Sequence, residues 1–296
     1  MKKLFYPLII LGLLMPFANA QKPITFNDDS QVFGNVDFPG IWVSIPEANA
    51  EVVMKNWEKT IQKGTKSKVS VNGMDASLFG ALIKNVYDGP VNIESRIRNQ
   101  DSLVLLFAGV ELRRGEFAEK GTHEYDRLKA YLKDFAKSEY LKVAEDQLAA
   151  EEKKLKEMEK ELSKTRKGKA KMEKTVQSSN NTIAAENDKI SSLRKQLTAS
   201  DEQIDHISSR LSETQDAEAK KSWQSEMKTA QKKKKSQLKA INSSENKIAK
   251  AKDRIRDTKN TIDLNLGSQD QMSVRINEQK MIVSQYQNKV RTIQGY

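Results

Sequence analysis

The chain of 296 residues contains no cysteine. This absence excludes disulfide bonds, thiolate metal ligands and a thiol nucleophile. Proline and glycine are scarce in most of the chain, because no proline follows Pro90 and only three glycines follow Gly121. These two residue types are the strongest breakers of regular structure, so the sequence predicts very long helices after residue 121.

Motifs of the common catalytic sites are missing as well. The sequence has no phosphate-binding G-x-x-x-x-G-K-[ST] loop, no G-x-S-x-G nucleophile turn and no H-E-x-x-H zinc motif. Its two histidines, His123 and His206, are far apart and lack the spacing of metal ligands. We therefore predict a protein that is not an enzyme and holds no cofactor or metal. An enzymatic site in the N-terminal domain is the remote alternative.

The N-terminus has the layout of a secretory signal peptide. Two lysines after Met1 precede an apolar stretch that ends at Phe17, and an Ala-x-Ala sequence follows at residues 18–20. The apolar stretch is shorter than the 20 or so residues that a membrane-spanning helix needs. We predict a signal peptide over residues 1–20, with cleavage between Ala20 and Gln21. Export without cysteine favours the periplasm of a bacterium, and extracellular release is the alternative.

Composition divides the remaining chain into two parts. Residues 122–296 carry 37 Lys and Arg against 27 Asp and Glu, and most of the net charge of +11 lies there. Residues 21–121 hold most of the prolines and glycines and predict a small α+β domain, large enough for one modest core. The predicted order in this domain is strand, helix, hairpin and hairpin, followed by a helix that opens at Thr122.

Three local signals give the details of this domain. The sequence Ser-Ile-Pro-Glu at residues 44–47 fits a capping box that starts a helix with Val53, Trp57 and Ile61 on its apolar face. Asn72-Gly73 predicts the tight turn of a β-hairpin. The helix from Thr122 has an apolar stripe that should cover the sheet, formed by Tyr125, Leu128, Leu132 and Phe135.

A seven-residue repeat begins at Leu141 and continues in one frame to Leu211. Ten of its eleven positions are apolar: Leu141, Leu148, Leu155, Leu162, Lys169, Val176, Ile183, Ile190, Leu197, Ile204 and Leu211. Such a repeat keeps one side of a helix against a partner helix, as in a coiled coil. A companion row three residues further mixes apolar and polar residues, which predicts a narrow contact.

A second repeat follows in a different frame: Met227, Lys234, Ile241, Ile248, Ile255, Ile262, Gln269, Ile276, Val283 and Val290. The two repeats are nearly equal in length and mirror each other about a point near residue 219. This symmetry favours an antiparallel helical hairpin with a first arm at 122–211, a tip at 212–226 and a second arm at 227–294. A long extended coil, paired in parallel with a second copy, is the alternative.

The predicted tip and the start of the predicted second arm carry the residues that we consider possible contacts. Trp223 lies near the tip, where it either covers the turn or is exposed to a partner. Four consecutive lysines follow: Lys232, Lys233, Lys234 and Lys235. Lys234 falls on a heptad position, and the simplest interpretation of the run is a solvated face. If the run binds a partner, export favours lipid headgroups, an anionic envelope polymer or an acidic protein, and no nucleic acid.

These features predict an exported coiled-coil protein of the bacterial envelope that acts as a scaffold or as a partner-binding and oligomerisation module. In architecture and charge, though in no residue motif, the chain resembles the exported tentacle chaperones of the Skp/OmpH type. That resemblance implies an alternative function, which is that of a periplasmic holdase for unfolded envelope proteins. In either case the expected partner is a protein or a second copy of the chain.

Overall fold

A computed structural model describes residues 22–296, so the predicted cleavage site at Ala20 and Gln21 lies outside the described residues. The elements are β1 (Phe26–Phe33), β2 (Val36–Pro46), α1 (Ala50–Gln62), β3 (Ser70–Asn72), β4 (Asp75–Ala81), β5 (Val91–Gln100), β6 (Leu103–Arg113), β7 (Glu116–Phe117), α2 (His123–Glu213) and α3 (Ala217–Gln294). The predicted architecture, an α+β domain followed by a long helical hairpin, is confirmed.

The chain forms two compact units. The first contains the described residues up to Glu152 together with Met281–Tyr296, and the second is Lys153–Lys280. The predicted boundary near residue 121 coincides with the start of α2, but the first unit continues for about eight turns into that helix. The last turns of α3 return to the first unit.

The strands of the first unit form one antiparallel sheet in the order β1-β2-β6-β5-β4-β3, and β7 pairs with the free part of β6. Asn72-Gly73 connects β3 to β4, as its sequence predicts, and Gly73 has the positive φ of 61° that this tight turn requires. The strands β1 and β2 form the first hairpin. The structure therefore has two strands before α1, where the sequence predicts one.

The predicted capping box at residues 44–47 is wrong. Ser44 and Pro46 belong to β2, and the Ser44 hydroxyl accepts a hydrogen bond of 2.8 Å from the backbone N–H of Thr25. The N-cap of α1 is Asn49 instead, whose Oδ1 accepts hydrogen bonds from the first turn of the helix. Residues 44–46 form a strand and not the start of a helix because Ser44 and its neighbours pair with β6.

One face of the sheet carries the main hydrophobic core. Alternate strand residues such as Ile41 and Leu106 point to this face, where α1 and the first turns of α2 cover them. Trp57 of α1 is fully buried there, with its ring centroid 4.9 Å from that of Phe135 on α2 and its indole N–H donating to Ser95. The apolar stripe predicted for the start of α2 therefore covers the sheet, as expected.

The end of α3 completes this core. Ile293 is fully buried, and Val290 and Tyr296 pack against the same cluster. Lys289 Nζ lies 2.7 and 2.6 Å from the two carboxylate oxygens of Glu47 and 2.9 Å from the side-chain oxygen of Gln147. The heptad pattern does not reveal this return of the C-terminus to the α+β core.

The second unit is an antiparallel hairpin of α2 and α3. The turn consists of Thr214, Gln215 and Asp216, which lie within the predicted tip, and α3 already begins at Ala217. No glycine or proline is needed, because side chains cap both helix ends. The Thr214 hydroxyl donates to the carbonyl of Arg210 at 2.7 Å, and Asp216 Oδ2 accepts from the backbone N–H of Ala219 at 3.1 Å.

Candidate functional site

The contact between the two helices of the hairpin is the first candidate surface. We call the residues of the two heptad rows and their companion rows, three positions further along each helix, the seam. Between Lys153 and Lys280 every seam residue is buried or half-buried, which is the coverage that the repeats predict. Coverage is incomplete, however. Many apolar seam residues are only half-buried, among them Leu155, Met172, Val176, Ile183, Leu197, Ile204, Ile248, Ile255 and Ile262.

Polar residues occupy several companion-row positions of the seam. Ser179, Ser200, Gln237 and Ser244 are all buried there. Within residues 22–296, neither the Ser200 hydroxyl nor either atom of the Gln237 side-chain amide has a hydrogen-bond partner. A buried polar group without a partner costs about 1–3 kcal/mol, so these positions weaken the two-helix contact.

Ion pairs join the two helices across the seam. Lys247 Nζ lies 2.8 Å from Glu186 Oε1, and Lys234 Nζ lies 2.7 Å from Asp201 Oδ1. The hydrogen bond from Lys247 holds the pKa of Glu186 below its usual value. Two longer pairs, Arg194 with Glu245 at 3.6 Å and Lys280 with Glu159 at 3.7 Å, join the same helices in the same register.

The structure distributes the four consecutive lysines around α3. Successive helical residues differ in direction by about 100°, so the run cannot present all its charges to one side. Lys234 is half-buried at the seam and pairs with Asp201. The other three lysines, Lys232, Lys233 and Lys235, are exposed.

Trp223 lies close to the turn, on the second turn of α3. Its side chain is half-buried, and its ring centroid is 6.5 Å from that of His206 on α2, with the rings in an edge-to-face arrangement. The indole therefore packs across the hairpin near its turn, while part of its surface stays accessible to solvent. His206 thus has an aromatic neighbour that its sequence spacing does not indicate.

Open grooves lie between the helices on either side of the seam. One groove of about 600 Å³ is lined by Ile190, Arg194 and Ile248 together with polar neighbours. A second of about 610 Å³ is lined mainly by Thr175, Lys250, Asp253, Arg254 and Asp257. Both combine the edge of the apolar seam with charged side chains, which suits contact with another helix better than enclosure of a small molecule.

The second face of the sheet forms another distinct surface. Aromatic rings cover it, with the centroids of Trp42 and Phe107 5.3 Å apart and those of Phe33 and Phe107 6.0 Å apart. The guanidinium groups of Arg96 and Arg98 stack over Phe33 and Trp42, each 4.8 Å from the ring centroid. This face is closed by its own side chains, in contrast to the seam.

A polar cluster lies beside these rings. Glu94 is buried, and burial raises the pKa of its carboxyl group, although a hydrogen bond from the Ser77 hydroxyl opposes the shift and Asp75 adds to it. Asp75 itself binds Arg96 through two hydrogen bonds of 2.7 and 2.8 Å. Both histidines of the chain lie in α2 and are not members of this cluster.

No protein-family model matches the chain, and a comparison with curated proteins gives no match either. Among residues 22–296 there is no group of three or more His, Asp or Glu side chains that could hold a metal ion. In the same part of the chain, no helix is both long and apolar enough to cross a bilayer.

Proposed function

We propose that this chain is an exported, non-enzymatic protein of the bacterial envelope whose helical hairpin acts as a scaffold and as a partner-binding or oligomerisation module. The observation that supports this proposal is the incomplete coverage of the seam. Half-buried apolar residues occur along both helices between Leu155 and Met272, and the two helices alone leave part of this surface in water.

A partner that covers the half-buried apolar residues of the seam would stabilise the complex by removing their surface from water. Removing apolar surface from water stabilises a contact by about 25 cal/mol per Å². A half-buried Ile or Val retains area that a third helix can cover, and the repeat places such residues seven positions apart, as at Ile248, Ile255 and Ile262. The expected partner is therefore helical and carries its own heptad pattern, and a second hairpin of the same chain meets this requirement.

Self-association tests the proposal in solution. The mass of the chain from Gln21 to Tyr296 is measured by light scattering over a wide range of concentrations, for the wild type and for Ile183→Ser. Ala185→Ser, at an exposed position half a turn away, is the control. We expect the wild type and the control to form a complex that Ile183→Ser weakens. If the wild type is monomeric at all concentrations, self-association is excluded and the proposed partner must be a different protein.

Export is tested separately. Expression of the whole chain in a Gram-negative bacterium, followed by fractionation and mass determination, should give a periplasmic product whose first residue is Gln21. A product that retains Met1 in the cytoplasmic fraction contradicts the export part of the proposal. It does not bear on the proposal that the seam binds a partner.

The holdase alternative has one observation in its favour. Leu264 and Val274 are 78% and 58% exposed on α3, in a stretch with only two charged residues, Asp263 and Asp270. Exposed apolar side chains on a helix can contact unfolded clients. The test is protection of an unfolded outer-membrane protein from aggregation by the wild type and by Leu264→Ser/Val274→Ser. Protection that the double substitution abolishes favours the holdase, and no protection by either chain excludes it.

A further inference from the structure

A line of five lysines runs along the outer side of α2, and we call it the lysine stripe: Lys160, Lys164, Lys167, Lys171 and Lys174. The spacing alternates between four and three residues, which places all five on one face of the helix. All five side chains are exposed, whereas the seam residues between them, such as Leu162 and Met172, are buried or half-buried. The stripe therefore points away from α3.

The stripe is not neutralised by ion pairs among the described residues. Within the described part of the chain none of the five lysines forms an ion pair, although Glu157 and Glu161 lie within a turn of the first two. Like charges three or four residues apart destabilise a helix, and the stripe contains four such neighbouring pairs. It extends over about 21 Å, with one ammonium group every 5 Å or so.

The stripe differs from the more conspicuous run Lys232–Lys235. The run points in several directions, and Lys234 is neutralised by Asp201. No two lysines of the stripe are consecutive in the sequence, yet the stripe concentrates positive charge along one side of the helix. The lysine stripe is thus a stronger candidate for recognition of an anionic surface than the run Lys232–Lys235, although it is less conspicuous in the sequence.

We propose that the lysine stripe docks this hairpin onto the surface of a bilayer that contains anionic phospholipids. A straight line of flexible ammonium groups complements an array of mobile headgroups and requires no shaped pocket. No Phe, Tyr or Trp occurs between Tyr140 and Trp223, so the stripe has no stacking platform of the kind that single-stranded nucleic acids use. It also contains no arginine, the residue that favours two-point recognition of a single phosphate.

This inference goes beyond the proposed function, because it rests on the outer face of α2 and not on the seam. Each lysine close to an anionic bilayer strengthens binding by roughly fivefold. Loss of four of them should therefore weaken binding by a factor on the order of several hundred, and salt should weaken binding by the wild type as well.

The test is sedimentation with large vesicles of phosphatidylcholine alone or mixed equally with phosphatidylglycerol. The protein is the chain from Gln21 onward, which contains every described residue. The stripe variant replaces Lys164, Lys167, Lys171 and Lys174 with Gln. The matched control replaces Lys232, Lys233, Lys235 and Lys239 with Gln, which removes the same charge and keeps the Lys234–Asp201 pair. Circular dichroism checks that both variants retain their helices.

We expect the wild type to bind the anionic vesicles and not the neutral ones, and the stripe variant to lose at least ten times more affinity than the control. Equal losses in the two variants would overturn the inference, since net charge alone would then explain binding. Absence of vesicle binding by the wild type overturns it as well. A final arm uses soluble polyglutamate: stripe-dependent binding to this polymer, without binding to vesicles, would assign the stripe to an anionic polymer instead of a bilayer.

Discussion

The α+β domain and the helical hairpin use apolar residues in different ways. In the domain, residues such as Ile41, Trp57 and Leu106 are completely buried between the sheet and its helices. In the hairpin, residues of the same types, such as Ile183 and Ile255, lie on the seam and stay half-buried. A sheet covered by helices encloses its core, while two helices cover only a narrow strip of each other.

The polar contacts differ in the same sense. In the domain, Lys289 has only 11% of its side chain exposed and binds both Glu47 and Gln147. In the hairpin, the pair Lys280 and Glu159 is about half exposed at 3.7 Å. The domain thus encloses its core, whereas the hairpin leaves apolar residues of the seam partly exposed.

The same substitution in the two regions should have very different costs. Ile41→Ala removes a fully buried side chain and should destabilise the domain by about 3–4 kcal/mol. Ile183→Ala removes one that is half-buried and should cost about 1 kcal/mol. Urea unfolding, monitored by tryptophan fluorescence for the domain and by helical circular dichroism for the hairpin, measures both. Equal costs would show that the seam is covered as completely as the domain core.

Two lysine substitutions compare the polar contacts. Lys289→Ala leaves the Glu47 carboxylate without its charged partner and should cost about 2–3 kcal/mol. Lys280→Ala breaks only an exposed pair and should change the free energy of unfolding by less than about 0.5 kcal/mol. Thermal unfolding of the two variants tests this order. An inverse order would contradict the role of Lys289 in attaching the end of α3.

The contribution of Glu47 should depend on pH. Burial alone would raise its pKa, but hydrogen bonds from Lys289 and Gln147 outweigh burial and keep the pKa below its ordinary value of 4.5. The stabilisation is therefore present above that value and is lost as the pH falls through the lower pKa of the folded state. Glu47→Gln should cost about 1–2 kcal/mol at neutral pH and progressively less in acid. A cost that is independent of pH would contradict the ionised pair.

A single substitution in the hairpin should be stabilising. Gln237→Leu replaces a buried amide whose two polar atoms have no partner among residues 22–296, and it should raise the stability of the helices by about 1 kcal/mol. Gln231→Leu, at an exposed position of the same helix, should have little effect. Helical circular dichroism during thermal unfolding gives both values. Destabilisation by Gln237→Leu would indicate that a partner or water satisfies the amide.

Much of the architecture could be predicted from periodicity and from turn chemistry. The heptads identify the seam because burial follows the repeat, and Asn72-Gly73 identifies a hairpin because its backbone conformation is local. The start of α1 could not be predicted from residues 44–47, since pairing of Ser44 and Pro46 with β6 overrides the local capping pattern. The position of Ile293 in the domain core is also a tertiary effect, because its heptad position specifies coverage but not the element that covers it.

The candidate surfaces, too, could be predicted from the sequence only in part. The sequence draws attention to Lys232–Lys235 because the lysines are consecutive, yet a helix separates consecutive side chains. The lysine stripe becomes visible only when residues three and four apart are grouped on the helix surface. Contact of Trp223 with His206 could not be predicted either, since it depends on the position of the turn and on the register of the two helices.

Crosslinking in the native envelope tests the central claim, that the half-covered seam binds a partner. A photoactivatable side chain is introduced at Ile183 on the seam or, in a matched chain, at the exposed Ala185. The account predicts an intermolecular product of higher mass from position 183 and much less from position 185. Products from position 185 alone, or only intramolecular products from position 183, would contradict it.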